Sequence, residues 1–265
     1  MSVRALGGVQ LVAQLDAARA FGELSVGALE GGGGGGARGE GQEPSLSALA
    51  RLAEWGGASG VSLSARPGHL PAFMEAARRL RGELGVSLNA QLSPDLDLTR
   101  LAFELQPQRV TLVPQRWVGP SVVGGLDPFQ LRDELRAQVA QLHEADIEVA
   151  VRVEPQLEMV KRLQRFDVDV VVLSTNALMS SGRGASRREQ LKRVLDASLL
   201  ASRLGLRVAV AGAIDLAAAE QLSRVSQISE VHVGHHLLAR AMLRGMEAAT
   251  RDLLVALERG RGNPL

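Results

Sequence analysis

Short valine-rich runs, bounded by glycine, proline or polar residues, alternate along this chain with longer segments whose apolar positions recur every three to four residues. Runs that are apolar nearly throughout suit parallel strands buried on both faces, and the periodic segments suit helices that lay one face on such a sheet. Eight strands are predicted, over Val9–Val12, Val61–Ser64, Val86–Ala90, Arg109–Val113, Glu148–Val153, Val168–Leu173, Arg207–Ala211 and Glu230–Val233. A helical stretch follows each, best defined over Leu46–Trp55, Pro71–Leu84, Phe129–Ala145, Arg188–Leu204 and Leu237–Leu257. Within them Leu131, Leu135, Val139 and Leu142 show the helical spacing plainly. Eight such units favour an α/β fold closed as a (β/α)8 TIM barrel over an open doubly wound sheet, and its 265 residues are read as a single domain, 1–265.

Segment 22–43 breaks the rhythm. It contains six consecutive glycines, Gly31 to Gly36, and almost no large apolar residue after Leu29. Glycine loses the most entropy on ordering and brings no side chain to bury, so a flexible insertion after the first strand is expected. A glycine-rich phosphate cradle is the alternative, but the lysine and Ser/Thr of a P-loop are absent.

Composition narrows the partners. With 46% hydrophobic residues and a net charge of +1, neither global disorder nor polyanion binding is indicated. Two Trp, five Phe and no Tyr offer few stacking platforms, so no nucleic-acid partner is expected. No apolar run approaches the ~20 residues of a membrane span, and Met1–Gly8 is too short and mixed for a secretory signal; no membrane partner and a cytoplasmic location are expected. The absence of cysteine removes disulfides, thiolate metal sites and thiol nucleophiles.

The strand ends, where a barrel enzyme keeps its chemistry, carry Gln10, Ser64, Gln91, Ser174 and Gly212. Such groups bind better than they transfer protons. Arg152 and Glu154 are exceptions, because alternation with Val149, Val151 and Val153 turns them towards the barrel axis. A mutually neutralising pair is the expectation; a catalytic Glu154 would need a raised pKa and a second group. Arg183, Arg187 and Arg188 form a basic cluster after the sixth strand, either a solvated helix start or a subsidiary anion or acidic-partner site.

Several segments in order resemble the pyridoxine 5'-phosphate synthase family, the barrel enzymes of vitamin B6 ring closure. They are Leu112-Val113-Pro114 with Gly124-Gly125-Leu126-Asp127, Leu204-Gly205-Leu206-Arg207-Val208, and Val233-Gly234-His235 with Arg240-Ala241. The resemblance runs from about Val9 to Leu257 and implies the same barrel fold, an oligomer of at least two copies, and a reaction joining an amino-ketone phosphate to deoxyxylulose phosphate. It also places the family's proton-transfer groups on residues that cannot serve. The second-strand histidine falls on Ser64, the third-strand glutamate on Gln91 and the histidine after the seventh strand on Gly212, and the substrate-orienting Asn, Asp and His of the first strand fall on Gln10, Val12 and Ala13. The expectation is a noncatalytic homologue, repurposed as a phosphate-ligand-binding or protein-interaction module; the alternative is an active synthase or a divergent barrel enzyme using Glu154, Arg66 and His235.

The resemblance keeps a ligand set. Arg66 matches the family arginine two residues beyond the second-strand base, and Ser121 lies on the loop after the fourth strand. Gly234 and His235 match the Gly-His pair that holds a substrate phosphate where the last helix begins, a position where backbone amides and the helix dipole favour an anion. A tight turn and a helix cap are the plainer reading of the pair. His232, His235 and His236 lack a carboxylate or thiol at a metal-site spacing, so no metal and no cofactor are expected. Trp55 and Phe129 are candidates for an intersubunit contact, and equally for the core.

Overall fold

A computed structural model describes residues 8–18, 45–182 and 184–264; the predicted insertion at 22–43 and Arg183 lie outside the described residues. Eight parallel strands close into a barrel: β1 (Gln10–Gln14), β2 (Gly60–Ser64), β3 (Ser87–Leu92), β4 (Arg109–Leu112), β7 (Glu148–Val153), β8 (Val170–Ser174), β9 (Arg207–Gly212) and β10 (Ile228–Val233). Their order around the barrel is β1-β10-β9-β8-β7-β4-β3-β2, so β10 returns to pair with β1. An antiparallel hairpin, β5 (Trp117–Val118) and β6 (Ser121–Val122), fills the loop after β4 and was not anticipated from the pattern, being only two residues a strand.

The helices between the strands are α1 (Leu46–Trp55), α2 (Leu70–Glu83), α3 (Leu98–Leu105), α4 (Glu134–Glu144), α5 (Leu157–Leu163), α6 (Asn176–Ser180), α7 (Ala185–Arg203), α8 (Leu216–Ser223), α9 (His235–Arg244) and α10 (Met246–Arg261). Three begin on a side chain that accepts a bond from a first-turn amide: Ser45 from Ala48 N, Asp97 from Arg100 N and Asp215 from Ala218 N. The expected helix over Phe129–Ala145 starts only at Glu134; the preceding turn leaves Phe129 against the Arg162 guanidinium, 5.1 Å from its ring centroid. The expected helix over Leu237–Leu257 is two helices, divided at Gly245, whose φ of 79° is outside the helical range. Gly260 allows α10 to lie close on α8, since a Cβ there would stand 2.0 Å from Ser223 Oγ.

Two populations of side chains follow from strand alternation. Leu11, Leu63, Leu92, Leu112, Val151 and Val231 join the shell between strands and helices with Phe73 and Phe166. Towards the axis, β2 to β4 present Ser62, Ser64, Asn89, Gln91 and Thr111, whereas β7 to β9 present Ala150, Val170, Val172, Ala209 and Ala211 as a separate small cluster. Bulky branched residues ordinarily fill a barrel axis. At the upper end Ser64, Gln91 and Ala211 are small or polar instead.

The lower end is closed by charge. Arg109 donates to Glu148 through Nε and to Glu230 through Nη2 at 2.8 Å, and Arg207 pairs with Glu148 from the other side. Glu230 also faces the buried His232, whose Nε2 lies 3.3 Å from Oε2. Burial alone would raise the Glu230 carboxyl, but bonds from His232 and Arg109 with the Arg109 charge outweigh it and hold it well below the usual range. Burial is the largest influence on His232 and lowers its pKa; Glu230 pulls the other way, and the Arg109 and Arg152 charges reinforce the lowering.

Both shifts have one sign in the pH dependence of stability. The unfolded chain takes up a proton at His232 below its ordinary 6.5 while the folded protein resists, so stability falls as the pH drops through that value. Glu230 adds stability that is present above the ordinary carboxylate value of 4.5 and is lost below it. Thermal melts are expected to move downward between pH 7 and 5.5, with His232 costing at most about 1.4 kcal/mol per pH unit. His232→Gln should flatten that interval; an unchanged slope would show that His232 does not set it.

Candidate functional site

A cavity of about 500 Å³ opens at the C-terminal ends of the barrel strands. Gln14 and Asp16 reach it from β1, Gln91 from β3, residues 118–123 from the hairpin, Arg152 from β7, Asn176 and Ser180 from α6, Gly212 and Ala213 from β9, and Gly234 and His235 from the start of α9. This is the face on which barrel enzymes hold ligands, because the βα loops converge there on a rigid rim.

Ser64 and Gln91, from neighbouring strands, share one buried network. The Ser64 hydroxyl lies 2.8 Å from Asp16 Oδ2 and 3.0 Å from Gln91 Oε1, and the Ser64 amide donates to Asp16 Oδ1 at 2.8 Å. Gln91 Nε2 donates to Ser62 Oγ at 3.3 Å. Asp16 was not anticipated: it stands beyond β1, and no spacing in the sequence connects it with Ser64, 48 residues away.

Gly212 is held by geometry. Its φ is 155°, and a Cβ would stand 2.4 Å from Thr175 Oγ1. A larger residue there requires the Thr175 side chain to move and is strained by the positive φ. Gly234 precedes α9 and packs on Gln14, 3.1 Å separating its would-be Cβ from Gln14 Cβ. His235 is exposed at the rim with His236, their rings edge-on at 5.7 Å.

Arg152 corrects the expected pairing. It does not form an ion pair with Glu154; its Nη2 donates to Asn176 Oδ1 at 3.0 Å, and Nε has no partner. The reason is position: Glu154 lies just beyond β7, its Oε1 3.6 Å from the would-be Cβ of Gly124, and acts on Arg152 as a charge at longer range. Burial, the largest influence, lowers the Arg152 pKa to about 10, against the pull of Glu154 and Asp16.

Of the residues singled out from the sequence, Gln91, Ser121, Gly212, Gly234 and His235 meet around the cavity, with Ser64 behind Gln91. Arg66 is elsewhere, its guanidinium 5.7 Å from the Trp117 ring centroid. Arg187 ties α7 to its neighbours by donating to Leu178 O and Gln221 Oε1, while Arg188 is exposed. His232 faces Glu230 inside the barrel, apart from His235 and His236, and no group of three potential metal ligands occurs among the described residues. No described helix is long and apolar enough to cross a membrane.

Comparison with known proteins bears on the family and the fold. The family model described as pyridoxal phosphate biosynthesis protein PdxJ matches residues 36–259. The pyridoxine 5'-phosphate synthase of Pelodictyon phaeoclathratiforme is 30% identical over 218 residues, 82% of this chain and 92% of that protein. That of Chlorobium phaeobacteroides is 30% identical over 213 residues, 80% of this chain and 90% of that one. Among solved structures, 3-hexulose-6-phosphate synthase from Salmonella typhimurium superposes with a TM-score of 0.62 at 14% identity, covering 95% of this chain and all of that one, a likeness of fold alone.

Proposed function

The chain belongs to the PdxJ family of pyridoxal phosphate biosynthesis proteins, and from that premise we propose that its cavity binds a phosphorylated metabolite without performing the family's ring-forming reaction. The observation that carries this reading is the set of side chains at three proton-transfer positions: Ser64, Gln91 and Gly212. A hydroxyl, an amide and a hydrogen atom do not serve as general acids or bases near neutrality. Gly234 and His235 keep the elements of an anion site, since the first-turn amides of a helix and its dipole both favour phosphate. A second reading, an enzyme acting on another phosphorylated compound, draws on Asp16 and His235, two ionisable side chains lining the cavity. Self-association into at least two copies belongs to the same proposal; Trp55 is 65% exposed and Phe129 52%. Sedimentation at micromolar concentration tests it, and a monomer would remove it.

Inorganic phosphate titrated calorimetrically into the full chain is expected to bind, and His235→Glu is expected to abolish that binding. A carboxylate at a helix start is neutral to favourable for folding, by a few tenths to about 1 kcal/mol, so the variant should melt at or above the parent. Binding that persists undiminished in the variant would reject the α9 start as the phosphate site.

A further inference from the structure

We propose that Arg152 recognises a carboxylate on the ligand, so that the cavity takes a small molecule carrying a phosphate at one end and a carboxylate at the other. The proposal rests on the phosphate-site reading of the α9 start, and supplies the ligand's second anchor.

Arg152 is only 2% exposed, with Val172 beside it in register on β8 and Ala150 and Ala211 among the axial side chains. A cation in such surroundings is costly unless it is paired. The protein pairs it incompletely. Nη2 donates to Asn176 Oδ1 at 3.0 Å and reaches Ala211 O only at 3.5 Å, Nε has no partner, and no described carboxylate forms an ion pair with the guanidinium. A guanidinium carries five N–H donors in a planar fork, and these contacts occupy those of Nη2 alone.

The walls near Arg152 sharpen the ligand class. Gln14, Gln91 and Asn176 are neutral, Gly212 contributes no side chain, and Asp16 is engaged with the Ser64 amide and hydroxyl. Arg152 is the one guanidinium among the described lining residues, with the Asp16 and Glu154 charges acting on it without an ion pair; its fork matches a carboxylate, which takes two parallel N–H bonds. Even with its pKa pushed down to about 10 by burial, Arg152 is charged at neutral pH. Arg152 and His235 border the same cavity, whose 500 Å³ suits a small metabolite bridging the two.

The test compares two probes that differ at the far end from the phosphate: 3-phosphoglycerate, with a carboxylate, and glycerol 3-phosphate, with a hydroxymethyl group. Calorimetry on the unsubstituted protein is expected to show the former bound at least roughly tenfold more tightly, the effect of one charge-assisted pair. Arg152→Gln, with folding verified by circular dichroism, should erase the difference between the two probes. Arg152→Lys should retain part of the preference. Equal affinities in the unsubstituted protein, or a preference that survives Arg152→Gln, would overturn the Arg152 assignment and leave the phosphate site standing. Failure of both probes to bind would overturn the phosphate reading and this proposal with it. If Arg152→Gln does not fold, equal affinities in the unsubstituted chain still overturn the proposal, and an undiminished preference in Arg152→Lys does the same.

Discussion

Supplied with an amino-ketone phosphate and deoxyxylulose phosphate, the purified protein is expected to form pyridoxine 5'-phosphate at least about 10⁴-fold more slowly than its Pelodictyon relative assayed beside it. One positioned acid or base contributes roughly 10² to 10⁴ in rate, and the proposed reading has several replaced, although such losses do not simply multiply. Gln91→Glu is expected to give no recovery. The new carboxylate would share the Ser64 hydroxyl with Asp16, and two carboxylates so placed disfavour each other's ionisation. Gly212→His is expected to cost folding as well, because its Cβ would meet Thr175 Oγ1 at 2.4 Å. Turnover within tenfold of the relative would refute the noncatalytic reading and place the chemistry on groups such as Asp16 and His235.

Arg109→Leu is expected to destabilise the fold by roughly 3 to 5 kcal/mol, seen as a fall in Tm on the order of 10 °C. The substitution leaves Glu230, 2% exposed, with His232 at 3.3 Å and Arg207 at 3.9 Å as its remaining partners. Glu148 keeps Arg207. The double variant Arg109→Leu with Glu230→Leu should recover much of the loss, since removing both charges also removes the penalty of burying one alone. Equal destabilisation of single and double variants would mean that lost volume, not stranded charge, governs the effect.

The sequence made the barrel legible for a physical reason: strands buried on both faces must be apolar nearly throughout, and helices covering them must be apolar on one stripe. Those demands act on every unit, so the eight strands could be placed, with ends displaced by two residues at most. Interruptions were less legible. Leu237–Leu257 keeps helical periodicity across Gly245, and only the backbone at φ 79° shows that the chain turns there into a second helix. The β5–β6 hairpin is too short to write a period of its own.

By itself the sequence determined the barrel and the family, because each depends on residue type in a local pattern or on the order of motifs. The tertiary structure alone decided which groups share a site. Asp16 meets Ser64 across 48 residues, Arg152 turns to Asn176 instead of Glu154, Arg66 goes to Trp117, and Arg109 reaches Glu230 across 121 residues. Pairings of this kind depend on where a closed barrel sets the ends of non-adjacent strands and loops, and one-dimensional spacing does not record those distances.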